Sequence, residues 1–117
     1  MADISPTKSI VDGVPTLRWD DVSTTTDTPL KFTITEQWGL AGCVQAVGTL
    51  GGATVALQMS NDGTNWASIK DLQGTVVALS AVTQISEFTC SAAYIRPSVT
   101  GGTGDNVDII VVLRGLY

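Results

Sequence analysis

The sequence predicts an all-β protein, an antiparallel β-sandwich of jelly-roll or immunoglobulin-like type with an extended N-terminal arm. Three observations predict it. Gly, Asn, Asp, Thr and Pro punctuate the chain at short intervals. Between the breaks, apolar residues alternate with polar ones and keep no helical period, which is the pattern of half-buried strands. And 117 residues at 44% hydrophobic and 15% charged suit one folded domain rather than a disordered chain. The count is roughly eight or nine strands, enough for two packed sheets. The domain reading is an arm over residues 1–14 and a sandwich over residues 15–117.

The arm carries Pro6, Gly13 and isolated apolar residues, Ile4, Ile10 and Val11. These are too sparse for a core element, so the arm is expected either to fray or to order against a neighbouring subunit. A first strand is expected over Thr16–Val22, and the polar run Ser23–Pro29 reads as a loop. From Leu30 to Thr35, Leu30, Phe32 and Ile34 face one way and Lys31, Thr33 and Thr35 the other, giving a strand with one solvated side.

Gly51-Gly52 lies between the runs Cys43–Leu50 and Ala53–Ser60. Two glycines between β-runs predict a hairpin, because a type I′ turn needs positive φ at both central residues. Asn61-Asp62-Gly63 predicts a second hairpin, a three-residue loop with a bulge leading to a strand over Trp66–Ile69. After a turn at Asp71–Gly74, runs follow at Val76–Leu79 and Thr83–Thr89. The run Ala93–Val99 is interrupted by Pro97, which cannot donate to a ladder, so it is expected at an edge or a kink. Thr100–Asn106 is a glycine-rich loop. The last run, Val107–Arg114, has Ile109, Val111 and Leu113 on one face and Ile110 and Val112 on the other. A strand apolar on both faces is expected in a sheet centre or against a second subunit.

The composition argues against several function classes. There is no histidine, the commonest general base and metal ligand; the serines have no partner to activate them. Asp20 and Asp21 are adjacent and are expected on opposite faces of a strand, not converging in a cleft. An enzyme is not expected. Gly101-Gly102-Thr103-Gly104-Asp105 has no Lys and opens a strand, so it reads as a turn and not a phosphate loop. Asp62, Asp105 and Asp108 match no calcium-loop spacing, and no cofactor or metal is expected.

With eleven acids and six scattered bases, net charge −5, neither nucleic acid nor an anionic membrane surface is an expected partner. No apolar run approaches the ~20 residues of a membrane span, and the first residues lack the pattern of a signal peptide. Cytosolic synthesis is the expectation, and Cys43 and Cys90 are expected as reduced thiols. Phe88 stands where an immunoglobulin core would carry a tyrosine, two residues before the second cysteine. Ser60–Trp66 is close to an Asp-box but lacks the residue between Asp and Gly, so it reads as a hairpin.

Taken together, Met59–Trp66, then Ala93–Gly102, then the terminal apolar strand form an order that resembles the small β-sandwich structural proteins of tailed bacteriophages, especially head decoration (cement) proteins. The resemblance covers residues 40–117 and is one of pattern. It implies a homo-oligomer, commonly a trimer, that binds the major capsid protein on the outer capsid surface after synthesis in the host cytoplasm. Trp19, Trp38 and Tyr117 are the candidate contact anchors, with ordinary core packing the alternative for each tryptophan, and Ile4, Ile10 and Val11 of the arm join them, because interface cores are rich in aromatics and poor in charge. Two other readings fit the same fold: another virion part such as a head fibre or tail component, or a carbohydrate-binding module using Trp38 or Trp66 as a sugar platform.

Overall fold

The computed structural model describes residues 2–11, 13–23, 27–34 and 40–115. Among them are twelve strands and no helix: β1 (Ala2–Ile4), β2 (Thr7–Val11), β3 (Val14–Val22), β4 (Asp27–Pro29), β5 (Phe32–Thr33), β6 (Leu40–Thr49), β7 (Thr54–Ser60), β8 (Ala67–Ser68), β9 (Ala78–Leu79), β10 (Ile85–Cys90), β11 (Tyr94–Thr100) and β12 (Asn106–Gly115). The expected eight or nine strands are exceeded because several short runs, such as β4, β5, β8 and β9, pair over only two or three residues.

The first sheet has the order β10-β6-β12-β3-β2 and the second the order β5-β11-β7-β8, with β9 also on β7. Every pairing in both is antiparallel. The alternation of strand residues explains why the two sheets share a core. Leu17 and Trp19, Val44 and Ala46, Phe88 and Cys90, and Val107 to Leu113 at every second position are buried from the first sheet. Val55, Leu57, Leu79 and Ile95 are buried from the second, and all belong to one cluster. Each fully buried aliphatic side chain contributes roughly 1.5–3 kcal/mol.

Gly51 and Gly52 adopt positive φ, 57° and 83°, as a reversal at this site requires. Yet the chain makes no hairpin there. β6 belongs to the first sheet and β7 to the second, so residues 50–53 form an arch between sheets, closed by the Ala53 amide donating to the Leu50 carbonyl at 2.8 Å. The arch rests on the glycine-rich loop, since the Thr103 amide donates to the Gly51 carbonyl at 3.0 Å.

The Asn-Asp-Gly hairpin does form, joining β7 to β8 with Met59 opposite Ala67. It is wider than a three-residue loop because Asp62 organises it. Its Oδ1 accepts from the amides of Thr64 and Asn65, both at 2.8 Å, and from the Ser60 hydroxyl at 2.9 Å; its Oδ2 accepts from Asn65 Nδ2 at 2.8 Å. These donors hold the Asp62 carboxyl well below the usual carboxylate range. Pro97 lies opposite Leu57 of β7, while β5 pairs only with Tyr94 and Ile95. The proline therefore sits past the end of β5, where its missing N–H leaves no ladder bond unmade.

Residues 2–11 are not a free arm. β2 pairs with β3 along the edge of the first sheet, and β1 runs parallel to β4. The Leu30 amide donates to the Ile4 carbonyl at 2.9 Å, and Lys8 lies 5.8 Å from the Phe32 ring centroid. Sparse apolar residues do keep β2 out of the core; main-chain pairing is what orders it. Cys43 and Cys90 are both free. They project from opposite faces of the first sheet, Cys43 beside outward Glu87 and Cys90 in the core, so they cannot bridge.

Candidate functional site

β12 is the central strand of the first sheet, and its two faces have different surroundings. Val107, Ile109, Val111 and Leu113 turn inward and are buried, while Asp108, Ile110, Val112 and Arg114 turn outward. The register places Ile110 beside Gln45 and Val112 beside Cys43 on β6, and beyond them Ile85 and Glu87 on β10. On the other side Ile110 neighbours Arg18 and Val112 neighbours Thr16 of β3.

The result is an outward face on which Ile110, Val112, Cys43, Val47 and Ile85 surround Gln45, with charge at its margin from Arg18, Glu87, Asp108 and Arg114. No described element lies over it. Ile85 is 57% exposed, whereas Ile110, Val112, Cys43 and Val47 are half-buried by their sheet neighbours. A shallow groove of about 280 Å³ opens at one end of this face, between Cys43, Glu87, Val112 and Arg114. Burial first, then the Glu87 carboxylate, push the Cys43 thiol up, so it is a protonated, apolar part of the surface.

The acidic margin is held by a bulge. Between Val22 and Trp19 on β3 and Val107 and Ile109 on β12 the register gains one residue on β3. Asp21 takes φ 58°, and its amide donates to Asp108 Oδ1 at 2.9 Å. The extra residue breaks the strand alternation, so Asp20 and Asp21 are both exposed rather than divided between the two faces. Arg18 joins them, with Nε 3.1 Å from Asp20 and Nη2 3.7 Å from Asp108.

The expected anchors are scattered. Trp19 is 0% exposed, and its indole N–H donates to the Leu30 carbonyl at 2.8 Å; it is a core residue with no surface left for a partner. The signal was its alternation with Leu17 against Arg18 and Asp20. Ile4 packs against the core. Ile10 is 62% exposed on the edge strand β2, and Val11 ends that strand. Trp38 and Tyr117 lie outside the described residues. One face of Trp66 is occupied, since the Arg96 guanidinium sits 4.0 Å from its ring centroid.

The outward row on β12 was readable in part, as a strand apolar on both sides. Its neighbours Cys43, Val47 and Ile85 needed the sheet order to be brought beside it. No family model, no curated protein and no solved structure matches this chain.

Proposed function

We propose that this chain is a structural protein of a tailed-phage virion, a head decoration protein that binds the outer surface of the coat lattice and stabilises it by protein–protein contacts. The scaffold is taken as an antiparallel sandwich of jelly-roll or immunoglobulin-like type, acting as a closed trimer. Such a role needs a rigid frame, a weakly charged contact face and no reacting group.

The observation that carries this reading is the outward pair Ile110 and Val112 on a central strand. A sheet face in permanent contact with water normally alternates to polar residues. The adjacent β3 does so, with Thr16, Arg18 and Asp20 outward. β12 keeps aliphatic side chains there instead, ringed by charges, which is the composition of an interface core and rim. Covering them with a coat subunit would recover their transfer free energy.

Heads of the encoding phage, assembled without this chain, provide the test. Purified wild-type protein is expected to co-sediment with them, and Val112→Glu, which puts a charge at the centre of the face, is expected to bind at least about tenfold more weakly. Wild-type and variant should melt at similar temperatures, since the residue is outward. Full attachment of both Val112→Glu and Ile110→Glu would refute the assignment of the face; failure of the wild-type chain to bind would refute the decoration role itself.

A further inference from the structure

The outward face of the second sheet carries a different surface. In a chain where acids outnumber bases eleven to six, two of the bases flank one groove of about 280 Å³ whose lining includes Pro29, Leu30, Lys31, Thr33, Trp66 and Arg96 and no Asp or Glu. Neither Lys31 nor Arg96 pairs with a carboxylate among the described residues.

Both cations are held in place by uncharged partners. Arg96 lies opposite Gln58 across the β11–β7 ladder, and its Nε donates to Gln58 Oε1 at 2.8 Å. Its guanidinium lies over Trp66 at 4.0 Å from the ring centroid. Trp66 directly follows the loop that Asp62 ties through the Thr64 and Asn65 amides. Among the described residues, the Nε bond and the ring contact leave the two terminal nitrogens uncommitted. Lys31 Nζ lies 5.5 Å from the centroid of the Tyr94 ring. Gly63 lies beside both, its φ of 77° supplying the left-handed residue of the turn, and a Cβ there would sit in ordinary contact, 3.5 Å from Lys31 Cε and 3.6 Å from Tyr94 Cε2.

A partly buried guanidinium with no counter-charge is costly, and burial already draws the Arg96 pKa down. Its fixed planar fork matches a carboxylate in two parallel hydrogen bonds, and the immobilisation entropy has been met before any ligand arrives. We infer that the groove between Pro29–Lys31 and Trp66–Arg96 is a receptor for an acidic segment of a protein partner, whose carboxylate is taken by the free edge of Arg96 and by Lys31. A protein carboxylate fits better than a sugar acid for two reasons. The Trp66 and Tyr94 rings each already carry a cation on the side of the groove, so a sugar stacking there would have to displace it. And Pro29 and Leu30 form an aliphatic wall suited to the methylenes of a glutamate side chain. This site lies on the opposite sheet from the proposed coat-binding face and does not depend on it.

The full chain, titrated with an acetylated and amidated hexaglutamate peptide and followed by ¹H–¹⁵N NMR, tests the inference. Saturable shifts are expected at the Trp66 indole N–H and the Arg96 Nε–H, and none with hexaglutamine. Arg96→Gln is expected to weaken binding at least about tenfold, the scale of a lost charge-assisted fork. Lys31→Gln, an exposed change that leaves the ladder intact, should weaken it by a smaller factor and guards against a folding defect in the first variant. Absence of saturable shifts, equal shifts with hexaglutamine, or unchanged affinity in both variants would overturn the site. Tighter binding of glucuronate or of inorganic phosphate at the same two resonances would overturn the protein carboxylate as its ligand.

Discussion

The indole of Trp19 fills the core, and its N–H also binds the Leu30 carbonyl, tying the segment before β5 to the first sheet. Trp19→Phe keeps most of the ring but leaves that carbonyl unpaired, a loss of about 1–3 kcal/mol; Trp19→Ala adds a cavity and should cost about 3–5 kcal/mol. Urea denaturation of the two variants measures both, and a cost under about 1 kcal/mol for Trp19→Ala would contradict the burial. The thiols give a second prediction at this scale. Cys90 and Cys43 are both pushed up from 9.0, chiefly by burial. A raised acid stabilises the fold while it stays protonated, so this contribution is complete below pH 9.0 and is lost as pH rises through the folded values. Stability should therefore fall in alkali, and less so in a Cys90→Ala background. Reducing agent should leave the melting temperature unchanged, because the two sulfurs lie on opposite faces of one sheet; a loss of several degrees would mean a disulfide. Asp62 has the opposite sign. Its lowered pKa keeps the loop's contribution intact above the ordinary 3.8 and removes it only as pH falls through the lower, folded value. An NMR titration in which the Asp62 carboxyl is half-protonated near pH 3.8 would show that the loop bonds are not formed.

A glycine pair between two β-runs states that the chain reverses, and at Gly51-Gly52 it does. What local sequence does not state is whether the next strand pairs with the last one or crosses to the facing sheet. That choice depends on the shared core, to which Val44 and Ala46 of β6 and Val55 and Leu57 of β7 all belong. The alternation of Ala53–Ser60 was legible because its period is local, and so was the Asn-Asp-Gly turn, because Asp62 binds amides two and three residues on. The pairing of β2 with β3 was not, since main-chain hydrogen bonds need no particular side chains. Likewise the outward row of β12 was legible, but not the Cys43, Val47 and Ile85 that complete it. The arch can be tested against an open turn. At Gly51 an added Cβ would clash with the Thr103 carbonyl oxygen, whereas at Gly74, φ 87°, nothing lies within 4 Å. Gly74→Ala should cost only the left-handed penalty, about 1–2 kcal/mol. Gly51→Ala has that penalty and must also separate the arch from the glycine-rich loop, so its loss should be clearly larger. Equal losses in thermal denaturation would mean that the two loops are not packed together.

At the scale of the whole molecule, the two outward faces divide the proposed work: an aliphatic strip rimmed by charges on the first sheet, a cationic and aromatic groove on the second. The sheet edges are a separate matter. β2 closes one edge of the first sheet with Thr7, Lys8, Ser9 and Ile10 all exposed, and Lys8, the charge that would guard it, lies over Phe32 instead. An exposed edge strand with little charge invites pairing with another chain. Identical subunits that cover such edges around a closed ring satisfy them without open-ended growth. The proposed trimer is therefore closed through β2, with Ile10, 62% exposed, at its contact. Light scattering across a wide concentration range should then give a constant mass near three times 12.2 kDa. Ile10→Lys should shift that mass towards a single chain while Val112→Glu, on the coat-binding face, should not. A wild-type chain that is monomeric at every concentration would remove the free trimer from the proposal. A trimer that survives Ile10→Lys but dissociates with Val112→Glu would exchange the roles, making the first sheet's outward face the subunit contact and leaving the edge for the coat.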